Sequence, residues 1–321
     1  MQTVFPSFYL DFHCIGGLCK HSCCVDWEIG IDEQTLENYR TKTDPLTEQI
    51  RASLCDTEDG THFCLGDDGR CPFLNEKNLC RIIMEAGASF LPEICREHPR
   101  FRNYCGDRLV ELGLGLSCEA VMAIVLAQTE LTFLCTDAEI DSLSDLEKIE
   151  KLPLDTDFPM LDGFFGDFMR EKYRALALLT NQELTAEERF ARLLGAYSVD
   201  TSSEAFLAFF SKLQSLEIMD GSWRELLERA SGMTAEPLRV DETTLKLLAL
   251  FIFRHARAEG FYSLGTVVAL SCNFVYLAQY LYHAAKDKTS FAEIVRLLSS
   301  ELEYSEENTE ALLDFCEQNA S

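Results

Sequence analysis

The sequence has few positive charges. Its 321 residues include 28 lysines and arginines against 54 aspartates and glutamates, giving a formal net charge of −26 and an isoelectric point near 4.5. A duplex-binding surface needs clustered Lys and Arg side chains that displace counterions from phosphates, and no such cluster occurs. The sequence therefore argues against nucleic acid as a partner. The acidity favours solubility, or the attraction of cations and basic proteins.

Long apolar runs are also missing. The most apolar stretches, 121–126 and 247–253, fall short of the ~18–20 residues that span a bilayer. The N-terminus has neither the basic start nor the apolar core of a signal peptide. Only 17 glycines and 8 prolines occur, without a short repeat, so collagen-like and low-complexity classes are excluded. We expect a globular cytoplasmic protein that does not associate with membranes.

Cysteine is the residue that the chain has in excess. Eleven of the 14 cysteines lie between Cys14 and Cys118. Thiols stay reduced in the cytoplasm, and the adjacent Cys23 and Cys24 cannot easily both find disulfide partners. Gathered soft thiolates in a reducing compartment indicate zinc or an iron–sulfur cluster. The alternative is a set of buried cysteines that act as small hydrophobic residues.

The cysteines of the first third form local groups. The first group, 14–24, holds four thiols in eleven residues, and Gly16 and Gly17 let its backbone fold tightly. The second spans Cys71 to Cys80, and single cysteines follow at 95 and 118. One tetrahedral zinc or one [4Fe–4S] cube needs at least two groups to converge. The remaining cysteines are predicted to be packing residues: Cys55, Cys64, Cys105, Cys135, Cys272 and Cys316.

Three common motifs are absent. The chain has no C-x2-C pair of the zinc-ribbon kind, and Cys14-x4-Cys19-x3-Cys23 differs from the C-x3-C-x2-C triplet of radical S-adenosylmethionine enzymes. No G-x-G-x-x-G opens a βαβ unit, so a Rossmann methyltransferase is not supported.

The N-terminal third combines short helices with a few extended segments. Asp32 is a good N-cap for a helix to Arg40, and a second helix is predicted over 46–54 after Pro45. A turn at 75–78 predicts a short hairpin or knuckle carrying Cys71 and Cys80. The alternation over 108–116 predicts a strand with one apolar face.

The other face of that strand carries Gly113 and Gly115. Because glycine leaves the face bare, a nucleoside cofactor could approach the backbone there. Close packing against a neighbouring element is the alternative.

Helical periods dominate from Ser117 onward. Ser117 is a candidate N-cap for a helix over 118–134, and a stretch rich in proline and acidic residues at 152–159 is predicted to be a linker. Asp220, Asp241 and Thr289 are predicted caps. Further helices are expected at 144–152, 161–180, 186–197, 203–216, 221–231, 241–258, 263–285, 290–302 and 305–318. The fold class is therefore mainly α: a small Cys-rich metal-binding lobe with a short β-hairpin (1–125), followed by an acidic all-α domain (126–321).

Five separate motifs lie within about residues 5–125. They are Pro6-Ser-Phe-Tyr-Leu-Asp-Phe-His-Cys14, Cys23-Cys24-Val-Asp-Trp27, Cys71-Pro-Phe-Leu74 with Leu79-Cys80, Cys95-Arg-Glu-His-Pro-Arg100, and Leu116-Ser-Cys-Glu-Ala120. In this order they resemble the flagellin lysine-N-methylase family, and they are also similar to the broader group of zinc- or iron-chelating domains.

The resemblance implies a cytoplasmic bacterial enzyme that methylates lysines of flagellin, using S-adenosylmethionine and carrying a [4Fe–4S] cluster. By motif it implies eight metal-ligand candidates: Cys14, Cys19, Cys23, Cys24, Cys71, Cys80, Cys95 and Cys118. Among them Cys19, Cys23, Cys71, Cys80 and Cys95 span the loops that must meet. Residues near these motifs that could serve as a base for the lysine amine are Tyr9, His13, His21, His98 and Tyr104.

Two other functions fit the residues. The thiols alone equally support a metal-binding or electron-carrying module without methyl chemistry. A zinc-stapled interaction protein, whose acidic helical half docks a basic partner, is the other alternative.

Overall fold

Helices dominate the part of the chain that the computed structural model describes, namely residues 2–27, 29–58, 60–136, 149–152, 163–286 and 288–320. The mainly α prediction is confirmed. The described strands are β1 (Gln2–Pro6), β2 (Leu54–Thr57), β3 (Gly60–Phe63), β4 (Arg100–Cys105), β5 (Leu109–Leu114), β6 (Phe133–Thr136) and β7 (Glu150–Lys151). The described helices are α1 (Glu33–Thr41), α2 (Pro45–Ala52), α3 (Arg81–Ala86), α4 (Glu93–Glu97), α5 (Glu119–Ala127), α6 (Gly163–Thr180), α7 (Ala186–Tyr197), α8 (Ser203–Leu213), α9 (Gly221–Ala230), α10 (Glu242–His255), α11 (Leu264–Ala285), α12 (Phe291–Leu302) and α13 (Glu306–Gln318).

The chain divides into two units that interleave in sequence. The helical unit comprises residues 1–12, 102–117 and 121–321, and the cysteine unit comprises 13–101 and 118–120. This grouping differs from the predicted division after residue 125, which falls inside α5. The reason is that the N-terminal strand β1 pairs with β5 and β6 and so belongs to the helical unit.

Capping side chains start the first helices of the cysteine unit. The Asp32 carboxylate accepts a hydrogen bond from the Thr35 backbone N–H at 2.9 Å, as predicted. Asp44 caps α2 in the same way, and Pro45 occupies its first turn. The unit packs around a core of mainly apolar side chains: Ile29, Ile31, Tyr39, Leu46, Ile50, Phe63, Cys71, Phe73, Ile82 and Leu91.

A hairpin that the sequence did not reveal follows α2. Strands β2 and β3 pair antiparallel, with Leu54 opposite Phe63, and a disulfide joins Cys55 to Cys64. The prediction that these two cysteines only pack is therefore wrong. At a separation of nine residues their Cα atoms lie 5.3 Å apart, because the tight hairpin brings the two strands side by side.

The helical unit combines a sheet with nine of the described helices, α5 to α13, of which α5 lies mostly in this unit. The strand order is β4-β5-β1-β6-β7, with β1 parallel to β5 and antiparallel to β6. Helices α10 and α11 form its centre, since most of their side chains are buried. Helix α11 is long and apolar enough to span a membrane, but 78% of its apolar window is buried inside the protein, as in the core helix of a globular unit.

Several helical predictions in this unit are confirmed. Asp220 and Asp241 cap α9 and α10, whereas Ser290 rather than Thr289 caps α12. The helix predicted over 118–134 ends at Ala127, because the following residues extend to pair β6 with β1. The helix predicted over 144–152 is wrong in its described part, because Glu150 and Lys151 form strand β7, which pairs with β6. The rest of that helix (144–148), the linker beyond residue 152 and the first two residues of the helix expected from 161 lie outside the described residues.

Strand β5 forms as expected but is buried on both faces. The face predicted to be bare holds Glu111, which is fully buried and forms an ion pair with Lys172 of α6, at 2.6 Å. The Lys172 ammonium also donates to the carbonyls of Phe253 and Ala256, at 2.9 and 2.7 Å. The second oxygen of Glu111 accepts from the Tyr173 hydroxyl, at 2.9 Å. Both oxygens of the buried Glu111 carboxylate are thus hydrogen-bonded, as the burial of an ion requires.

Removing one partner of this ion pair should destabilise the helical unit strongly. We expect Lys172→Met to lower the free energy of unfolding by about 3–5 kcal/mol, because it leaves the Glu111 carboxylate buried without a cation. The measurement is urea unfolding followed by far-ultraviolet circular dichroism. Arg229→Ala is the control, since its pair with Glu225 is exposed and should be worth less than about 1 kcal/mol. Equal losses in the two variants would contradict this account of the buried pair.

Candidate metal centre

Backbone pairing aligns the first cysteine group with the second. The Cys71 backbone N–H donates to the carbonyl of Cys24, at 2.9 Å, and Val25 forms an antiparallel bridge with Arg70. These contacts run two chain segments side by side although 47 positions separate them in sequence. They place the Cys24 and Cys71 side chains in the same part of the cysteine unit.

A tight turn brings Cys80 back toward Cys71. The Asn75 side-chain oxygen accepts from the backbone N–H groups of Lys77 and Leu79, and Leu74 bridges Cys80. The Arg70 guanidinium fixes the turn from outside, since it donates to the Asn78 side chain at 2.8 Å. The knuckle predicted at 75–78 is therefore present, although it contains no strand in the described structure.

Cys95 is supplied by α4. The Asp32 side chain accepts from the Glu93 backbone N–H, at 2.8 Å, and this bond ties the start of α4 to the start of α1. Beyond α4, the His98 ring packs on Trp27, with ring centroids 5.8 Å apart. Trp27 in turn donates its indole N–H to the carbonyl of Cys23. The vicinal cysteines and α4 are thus joined through these two rings.

These contacts gather thiols whose charges interact. The thiol cluster, as we define it, consists of Cys23, Cys24, Cys71, Cys80 and Cys95. Burial, and to a smaller extent the nearby Cys24 and Cys80, raise the pKa of the Cys71 thiol to about 12. The pKa of Cys95 is also raised well above its usual range, mainly by burial and then by the nearby Cys24, Cys71 and Cys80. The exposed Cys14 acts electrostatically on Cys23.

Cys24 is the exception in this cluster. A hydrogen bond from Cys23, a second from Ser22 and the charge of Arg70 outweigh its partial burial and lower its pKa to about 7. The same hydrogen bond raises the pKa of the Cys23 thiol. One thiolate is therefore formed near neutral pH, while the others around it remain protonated.

The donor chemistry fits a thiolate-bound metal group. Thiols that raise one another's pKa resist becoming thiolates together, and a cation among them removes that penalty. Within the residues described, no three His, Cys, Asp or Glu side chains are arranged to hold a single metal ion. An iron–sulfur cube binds each cysteine through a different iron, so its ligands lie farther apart than those of one zinc.

Two of the eight predicted ligands lie in a different setting. The Cys19 thiol is hydrogen-bonded to the His21 carbonyl at 3.1 Å and to Glu119 at 3.6 Å. Cys118 precedes Glu119 and interacts electrostatically with Cys19. Burial, with the negative charges of Glu119 and Cys118, raises the pKa of Cys19 to about 11. The structure thus groups Cys24 with the second cysteine group, and Cys19 with the start of α5.

The predicted cofactor residues Gly113 and Gly115 are both buried in or beside β5. That arrangement is the one expected from close packing. Of the residues proposed as bases, Tyr9 is buried, whereas His13, His21 and Tyr104 are exposed. Sequence reasoning missed Arg70, whose position just before Cys71 was its one available signal, and Glu119, which stood next to a predicted ligand.

The reactivity of Cys24 gives a test of this geometry. In metal-free reduced protein we expect Cys24 to be alkylated by iodoacetamide with a midpoint near pH 7, since only the thiolate reacts. Cys71 should react only at much higher pH. Arg70→Gln should shift the Cys24 midpoint upward, because the thiolate loses a nearby positive charge. Peptide mass spectrometry measures each site; parallel pH profiles for Cys24 and Cys71 would refute the arrangement.

Comparison with known proteins gives matches over part of the chain. The chain is 29% identical over 129 residues to lysine-N-methylases of Salmonella choleraesuis (strain SC-B67) and Salmonella typhimurium (strain LT2), which is 38% of this chain and 31% of each relative. It is also 29% identical over 129 residues to the flagellar biosynthetic protein FliU of Salmonella muenchen, of which the match covers 75%. No protein-family model and no solved structure matches the chain. The match spans about a third of the length of the two lysine-N-methylases.

Proposed function

We propose that this chain is a protein-lysine N-methyltransferase that acts on flagellin, with S-adenosylmethionine as methyl donor. The observation that carries the proposal is the 129-residue similarity to proteins named lysine-N-methylase and to a flagellar biosynthetic protein. The convergence of thiols from separate loops adds support, since the resembling family carries a metal centre.

The thiol cluster would hold a [4Fe–4S] centre through Cys24, Cys71, Cys80 and Cys95. These four come from three separate segments and act on one another electrostatically. Cys23 would lie at the exposed edge of the centre. When bound, the centre supplies soft Lewis-acid iron and crosslinks the segments that carry its ligands. The free thiols of the thiol cluster favour a cytoplasmic location, where thiols stay reduced.

Lysine methylation also requires a neutral amine, because an ammonium has no lone pair with which to attack a methyl group. The acidic surface, with a net charge of −26, attracts a lysine-bearing protein but favours the charged amine. Recognition by acidic side chains and deprotonation of the target lysine must therefore occur at different positions. The methyl donor needs an accessible surface, which the buried Gly113 and Gly115 do not offer as they stand.

The partial length of the match favours a second candidate. Because the similarity covers only 31% of each lysine-N-methylase, a shared metal-binding module without methyl chemistry would also account for it. In that case the chain would bind zinc or iron, and its acidic helical unit would dock a basic partner. Methyl transfer distinguishes the two candidates.

Incubation of anaerobically purified protein with flagellin and methyl-labelled S-adenosylmethionine tests the main proposal. We expect label on lysine side chains of flagellin, located by peptide mass spectrometry. The matched negative substrate is flagellin whose lysines have been reductively dimethylated beforehand. Protein that binds metal but transfers no label, and shows no binding of S-adenosylmethionine by calorimetry, would favour the module instead.

Metal binding itself should depend on pH in a defined direction. Because the pKa of Cys71 is raised to about 12, binding must release protons, and apparent affinity should rise between pH 6 and pH 8. Iron and sulfide content after dialysis at each pH provides the measurement. Cys71→Ser should lose the metal, whereas Cys272→Ser, at a buried position in α11, should keep it. Metal content that is independent of pH and of Cys71 would argue against this site.

A further inference from the structure

Glu119 links the first cysteine group to the start of α5. One oxygen of its carboxylate accepts the Lys20 backbone N–H at 2.8 Å and lies 3.6 Å from the Cys19 sulfur. Both contacts bridge about one hundred positions of sequence within the cysteine unit. Glu119 is partly buried and stands in the first turn of α5, where a negative charge is favourable.

The loop that carries Cys19 is held at two further points. A side chain at Gly17 would collide with the Lys77 carbonyl oxygen, so the backbone there packs directly on the turn between Cys71 and Cys80. At its far end, the carbonyl of Cys24 accepts from the Cys71 N–H. Glu119 therefore completes a three-point attachment of the loop that supplies Cys23 and Cys24.

The surroundings of Cys19 also oppose a role as a ligand. Its sulfur already makes hydrogen bonds to the His21 carbonyl and to Glu119, and a metal ligand must be a thiolate. A carboxylate at 3.6 Å disfavours that second negative charge. The thiols that act electrostatically on Cys71 are Cys24 and Cys80, and those that act on Cys95 are Cys24, Cys71 and Cys80.

We propose that Glu119 is a positioning residue, which holds Cys19 as a hydrogen-bonded thiol outside the metal centre and fixes the loop that presents Cys24 to Cys71, Cys80 and Cys95. The centre itself rests on the proposed function. The clamp of Glu119 on Cys19 and Lys20 does not, and it can be tested in protein that contains no metal.

Site-resolved alkylation tests the role of Cys19. Each cysteine's rate with iodoacetamide is compared at pH 9 in metal-loaded and chelator-stripped protein, by peptide mass spectrometry. Stripping should raise the rates of Cys24, Cys71, Cys80 and Cys95 more than tenfold and leave that of Cys19 within about twofold. A rise at Cys19 as large as that at Cys71 would make it a ligand and overturn the proposal.

Substitution of Glu119 tests the clamp. In metal-free protein, Glu119→Ala should raise the alkylation rate of Cys19 several-fold, because the thiol loses its acceptor and an adjacent negative charge. Glu119→Gln retains an acceptor oxygen for the Lys20 backbone N–H and should give a smaller rise in the alkylation rate of Cys19. After loading, Glu119→Gln should keep the iron content of the wild type and Glu119→Ala should lose it. Glu85→Ala, at an exposed glutamate of α3, is the control.

The outcomes separate the two proposals. If the wild type binds no metal, the centre fails, while the Cys19 rates in metal-free protein still decide whether Glu119 acts as a clamp. If Glu119→Ala changes neither the Cys19 rate nor the iron content, the clamp is refuted. Cys19→Ser guards against misfolding of the alanine variant, because it should retain iron if Cys19 is not a ligand and lose it otherwise.

Discussion

The repulsion among neighbouring thiolates is the constraint on which the cysteine unit depends. Cys71, Cys80 and Cys95 are partly or fully buried. Cys24 raises the pKa of all three thiols, and Cys80 also raises the pKa values of Cys71 and Cys95. Bringing these thiols together costs little free energy while they are protonated. It does, however, make it unfavourable for several of them to be thiolates at the same time. A cation placed among them converts that cost into affinity, because each lost proton is replaced by a metal bond.

The two units are stabilised by different means. The helical unit relies on a large apolar core around α10 and α11 and on the buried, hydrogen-bonded ion pair of Glu111 with Lys172. The cysteine unit is built from helices of five to nine residues, a disulfide-linked hairpin and loops, so its core is small. Short helices are marginal without tertiary support, and a metal that crosslinks loops would supply it.

The sequence predicted the parts of this structure that local rules control. Caps such as Asp32 and Asp241, and the periodicity of α7 to α13, follow from neighbouring residues alone. Strand β6 and the burial of Glu111 could not be predicted in this way, because they depend on β1 and α6, which lie far away in sequence. The hairpin of β2 and β3 was missed for a different reason: its four-residue strands leave too little alternation to detect.

The candidate site shows the same division. Spacing and motif identified all the cysteines that converge, but not which of them meet, since Cys24 rather than Cys19 is joined to Cys71 by backbone pairing. Arg70 and Glu119 became visible only through their contacts with Asn78 and Lys20. Ligand candidates could thus be read from the sequence, whereas the residues that orient them required the fold.

X-ray absorption at the iron edge of anaerobically purified protein tests the central claim most directly. If the thiol cluster holds a [4Fe–4S] centre, the spectrum should show iron bound by sulfur with a second shell of iron neighbours, and Cys95→Ser should abolish it. Protein without iron, or with only zinc surrounded by oxygen and nitrogen, would contradict the account.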